Sequence, residues 1–113
     1  MNFKTTSIFD KRISQLLSKD EYAQMRQALT DSPNLGVVIK NTGGVRKIRW
    51  AVGNKGKSGG ARIIYYWHNP NSQDDEIYLL FAVLENEQEN LSSQQKSELN
   101  KLIESEYHEQ DNE

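Results

Sequence analysis

The chain has 113 residues, no cysteine, two histidines and a formal net charge of −2. That length suits one domain with a modest core, and the missing cysteine excludes disulfides and thiolate metal sites. No segment approaches the roughly 20 apolar residues of a membrane span, and "MNFKTTSIFDKR" has no apolar leader run, so a soluble, cytoplasmic protein is expected.

In chain order, "SIFDKRISQLL" places Phe9, Ile13, Leu16 and Leu17 on one helical stripe. "SKDEYAQMRQALTDSP" follows, with Ser18 and Glu21 in capping-box register. Leu17 and Tyr22 stand at the positions of a hydrophobic staple, Tyr22, Met25 and Leu29 form the apolar stripe, and Pro33 ends the helical region. The short connection predicts an antiparallel helix hairpin.

From Val45 the period becomes 2. In "VRKIRWAV", Ile48, Trp50 and Val52 point one way, and Lys47, Arg49 and Ala51 the other. "ARIIYYWH" and "EIYLLFAVL" are rich in β-branched and aromatic residues, with turn-forming "NPNSQDD" between them. Together they predict an antiparallel meander. In "LSSQQKSELNKLIESEY", Ser92 and Gln95 form a second capping-box pair, and Leu99, Leu102, Ile103 and Tyr107 a stripe. "HEQDNE" reads as a frayed acidic tail. The expected fold is a single α+β domain over residues 1–113: a helix pair, an antiparallel sheet of three to four strands and a C-terminal helix, with the helices on one face.

Charge is distributed unevenly. Residues 1–31 carry +1, residues 32–73 carry +7 with no carboxylate, and residues 74–113 carry −10. A block without acids fits a polyanionic partner, because phosphates favour cations and penalise carboxylates. Within it, "AVGNKGKS" fits a loose phosphate-loop pattern. Such a loop joins a strand to a helix N-terminus, whereas here Gly59 and Gly60 lead into a β-branched, aromatic run. The segment is therefore a basic hairpin connection and not a nucleotide-binding loop.

Lys47 and Arg49 on one strand, Lys55 and Lys57 in the loop, and Arg62 on the next strand converge on one area. Arg46, Lys40, Tyr65 and Tyr66 are nearby candidates for RNA contact, the tyrosines by stacking on bases. Neither histidine reads as a metal ligand; His68 reads as a strand-end surface residue.

The stretch "GGVRKIRWAVGNKGKSGGARIIYY" resembles the signature of RelE/HigB-type toxins of bacterial type II toxin–antitoxin systems. The lead-in "PNLGVVIKNTGG" and the helix start "ENLSSQQKSEL" are similar to that family as well. The likeness spans roughly residues 8 to 105. It implies a microbial-ribonuclease-like architecture and a ribosome-dependent endoribonuclease that cuts mRNA in the A site. It also implies no cofactor or metal, and a helix-turn-helix antitoxin that neutralises the toxin and brings it to operator DNA. By matching position, Lys47, Arg49, Lys55 and Lys57 are the catalytic cations and Arg62 the phosphate clamp. A lysine crowded by other cations has a lowered pKa and is a candidate base.

One departure stands out. Where the family commonly has an aromatic and a basic residue after the last strand, this chain has Val83, Leu84 and Glu85. Glu85 is then either a base or an inactivating substitution, or the pocket is built differently. Two alternatives follow: a degenerate binder that inhibits by occupying the ribosome, and a relative on the same fold acting on another target such as a topoisomerase.

Overall fold

A computed structural model describes residues 1–51, 60–70, 75–85, 87 and 90–108. Its elements in chain order are β1 (Asn2–Thr5), α1 (Ser7–Leu16), α2 (Lys19–Asp31), β2 (Val37–Val38), β3 (Arg46–Ala51), β4 (Gly60–His68), β5 (Glu76–Leu84) and α3 (Ser93–Ile103). A π-helical turn, Glu104–His108, closes the described chain.

The strands form one five-stranded sheet in the order β1-β5-β4-β3-β2. The antiparallel β3-β4-β5 meander matches the sequence reading. Two edge strands enlarge it beyond the three or four expected. β1 pairs parallel to β5, which makes the sheet mixed. β2 pairs antiparallel to β3 through two residues. At four and two residues, both are too short to show a period.

Nor do the helices share one face. Phe9, Ile13 and Leu16 of α1 and Met25 and Leu29 of α2 pack with Ile48, Ile63, Tyr65 and Leu79 of the sheet. On the opposite face, Ile103 and Tyr107 pack with Val45, Ile64, Tyr78 and Leu80, flanked by Leu99 and Leu102. Alternation along β4 makes this two-sided core possible, since Ile63 and Tyr65 point to the helix pair while Ile64 and Tyr66 point to α3.

Both capping boxes form as the sequence predicts: Ser18 with Glu21 on α2, and Ser92 with Gln95 on α3. α1 is capped by Thr6, whose hydroxyl accepts from Phe9 N at 3.0 Å. That hydroxyl also donates to the Leu80 carbonyl at 2.8 Å. In β5, Leu79 faces Tyr65 and Phe81 faces Ile64, so Leu80 is the extra residue of a bulge. The bulge frees a carbonyl from the ladder, and Thr6 satisfies it.

The turn between β2 and β3 is held by Thr42, a buried hydroxyl that donates to Ile39 O at 2.6 Å and accepts from Val45 N at 3.1 Å. Gly43 there has φ +77, a left-handed backbone conformation that favours glycine.

Thr6→Val keeps the shape of the side chain but loses the helix cap and leaves the Leu80 carbonyl without its partner. A loss of about 2 kcal/mol is expected, measured by urea unfolding.

Burial raises the pKa of Tyr22, Tyr65, Tyr78 and Tyr107 above the ordinary 10.0. For Tyr107 the hydrogen bond to Glu76, at 2.6 Å, adds to that effect. The folded values lie above the unfolded ones, so this stability is complete below about pH 10 and is lost as pH rises beyond it. Tyr107→Phe should make unfolding free energy fall less steeply between about pH 9 and pH 11 than in the parent protein.

Candidate anion-binding site

The β3–β4 ladder sets the geometry of the basic residues. Lys47 lies opposite Ile64, and Arg49 directly opposite Arg62. All four face the α3 side of the sheet, because Ile48, Trp50 and Ile63 occupy the other side.

α3 leaves part of this face uncovered, and a cleft of about 280 Å³ lies there. Its sheet floor is Lys47, Arg62, Ile64, Phe81 and Val83. One wall is Val37, Val38, Ile39 and Lys40, and the other is Asn90, Leu91 and Lys96. Lys40, Lys47, Arg62 and Lys96 therefore surround an apolar floor. Among the described residues, none of the three lysines has a carboxylate within ion-pair distance. An anion with a flat apolar portion fits this chemistry, its charge on the rim and its planar part on Phe81 and Val83.

Arg49 stands beside the cleft, two-thirds exposed, and reaches the same area through Glu85. The Glu85 carboxylate lies 3.1 Å from Arg49 Nε and 3.7 Å from Arg62 Nη2. Its backbone is fixed by a bond from Glu85 N to Gly60 O at 3.0 Å. Two residues on, Glu87 accepts from Leu84 N at 3.0 Å and pairs with Arg12 on α1. The Arg12 hydrogen bond, followed by the Leu84 amide, holds the Glu87 carboxyl below its usual range. The chain leaving β5 is thus pinned on both sides of Glu85.

Two of the expected contact residues lie elsewhere. Tyr65 is fully buried on the helix-pair face, so its ring is not available to a base. Its hydroxyl accepts from Gly36 N and donates to Pro33 O, each at 2.8 Å. A Cβ on Gly36 would come within 2.9 Å of that hydroxyl, so the small residue is what admits the tyrosine. Arg46 lies opposite Tyr65 and shares its face. Its guanidinium donates to Gly36 O at 2.7 Å and tethers the segment that leads into β2.

Tyr66 is on the cleft side of the sheet but packs against Tyr107, with ring centroids 5.2 Å apart, away from the cleft lining. His68, at the end of β4, stacks on Tyr107 at 4.1 Å. Lys55 and Lys57 lie outside the described residues.

Lys96 and Phe81 join the cleft without being among the residues expected from the sequence. Lys96 was legible from its spacing: it precedes Leu99 by three residues and Ile103 by seven, on the helix flank that meets the sheet. Phe81 was hidden by the bulge, which reverses facing along β5.

Retention on a heparin column separates the two faces. Lys47→Ala and Arg62→Ala should elute at lower salt than the parent protein. Arg46→Ala should elute close to the parent while losing about 1.5–3 kcal/mol of stability in urea, since it removes a charged donor to Gly36 O. No known protein-family model matches the chain.

Proposed function

We propose that the protein is an RNA-cleaving toxin of a type II toxin–antitoxin system, of the RelE/HigB kind that its basic strand and glycine loops resemble. The observation that carries this reading is the cleft in which Lys40, Lys47, Arg62 and Lys96 surround an apolar floor of Ile64, Phe81 and Val83. Cations around a surface on which a base can stack suit single-stranded RNA.

In the reaction, the 2′-OH attacks its own phosphate, forming the O2′–P bond and breaking the P–O5′ bond. The products are a 2′,3′-cyclic phosphate and a 5′-OH. Negative charge accumulates on the phosphorane, and on this reading Arg62 with Lys47 stabilises it. The 2′ proton needs a base, and the leaving 5′-oxygen needs a proton. Glu85 is the one carboxylate within ion-pair distance of Arg49 and Arg62 among the described residues. The partners on this reading are the ribosome and its mRNA, a helix-turn-helix antitoxin, and operator DNA through that antitoxin alone. The compartment is the cytoplasm, in keeping with the absence, among the described residues, of a helix long and apolar enough to cross a membrane.

A second reading rests on the same carboxylate. With Glu85 paired to Arg49 and Arg62, the protein is a toxin-like binder that inhibits by occupancy, without cutting.

Primer extension on a reporter mRNA in a reconstituted translation system distinguishes the two. New ribosome-dependent 5′ ends are expected with the parent protein. Stalled translation without new ends, with cutting only in Glu85→Lys, would establish the second reading. No effect of either protein on translation would overturn both.

A further inference from the structure

Arg49 and Arg62 face each other directly across the β3–β4 ladder, the arrangement in which like charges repel most strongly. Glu85 places one carboxylate oxygen on each arginine, 3.1 Å from Arg49 Nε and 3.7 Å from Arg62 Nη2. A carboxylate and a phosphodiester are both monoanions that present two oxygens to a guanidinium. We propose that Glu85 is a tethered competitor for phosphate: it occupies the Arg49–Arg62 pair as an internal anion, and a ligand engages both guanidinium groups only by displacing it.

Three features support displacement over permanent occupancy. The backbone at Glu85 is pinned by Gly60 O, and the adjoining chain by Glu87 and Arg12, so opening requires only side-chain rotation. The carboxylate is about a quarter exposed, which leaves a route to solvent. Arg49 is 65% exposed and can follow an incoming phosphate, while Arg62, at 19%, stays fixed in the floor of the cleft. An isolated phosphodiester exchanges one monoanion for another and gains little. A ligand whose neighbouring phosphates also meet Lys40, Lys47 and Lys96 gains contacts that Glu85 never makes. The device therefore selects polyanions over single phosphate groups.

This inference deepens the RNA reading and rests on it for the identity of the polyanion. The test measures binding of two probes: a 2′-O-methyl RNA dodecamer, which lacks the attacking hydroxyl, and inorganic pyrophosphate. Glu85→Gln should bind both at least tenfold more tightly than the parent protein. The slope of log affinity for the RNA against log salt should steepen by about 0.7–1.4, as one or two further cations engage phosphate. Glu104→Gln, an equal change of net charge at an exposed residue of the π-helical turn, should shift affinity less than twofold.

A double-mutant cycle excludes a simple charge effect. Arg49→Gln should weaken binding little in the parent protein, where its charge is occupied, and at least fivefold in Glu85→Gln. Equal affinity of the parent protein and Glu85→Gln for both probes, or equal effects of Arg49→Gln in the two backgrounds, overturns the proposal. If pyrophosphate shows the gain and neither protein holds the RNA, the competitor stands and the RNA reading falls. If both proteins hold the RNA equally, the RNA reading stands and the competitor falls.

Discussion

The cross-strand encounter of Arg49 with Arg62 is the constraint around which the basic face is built. The β3–β4 register places them directly opposite one another, and shifting it by one residue would turn Ile48, Trp50 and Ile63 out of the core. Burial of that apolar side thus enforces the juxtaposition of two guanidinium groups on the other. The carboxylate of Glu85 offsets the repulsion. A function that needs both arginines for a ligand competes with a fold that is stabilised by pairing them internally.

The sheet separates two environments. On one side the helix pair buries a continuous apolar core, and polar groups there serve the backbone: the Tyr65 hydroxyl bridges Gly36 and Pro33, and Arg46 holds Gly36 O. On the other side α3 and the π-helical turn after it cover the β4–β5 end of the sheet through Ile103 and Tyr107 and stop short of Lys47 and Arg62. The uncovered area becomes the cleft. Rigid neighbours bound it: the Thr42-closed turn beside Lys40, and the capped first turn of α3 beside Lys96.

Local signals in the sequence predicted local structure well. Both capping boxes, the Leu99–Tyr107 stripe and the outward facing of Lys47 and Arg49 follow from spacings within single elements. What the sequence concealed depended on pairing. β1 exists because β5 offers it a partner, and its four residues carry no signal of their own. Facing along β4 depends on the register against β3, which no property of β4 alone determines. Tyr65 and Tyr66 therefore look alike in sequence, yet one is sealed beneath the helix pair and the other packs near α3. The same holds for Arg46, which adjoins Lys47 in sequence while strand alternation sends it to the opposite face.

In the sequence Glu85 stands out as a carboxylate close to a basic block, but its meaning depends on geometry. A carboxylate after the last strand could have faced solvent and left the arginines to a ligand. Its position between them makes the carboxylate part of the site. Removing its charge withdraws the anion that Arg49 and Arg62 share and at the same time exposes a like-charge pair within the sheet. Tighter anion binding and lower stability are then two consequences of the same lost ion pair. The strength of that pair bounds how readily a polyanion can open the site: it must be strong enough to hold two arginines together in the free protein, and weak enough that several phosphates acting at once can replace it.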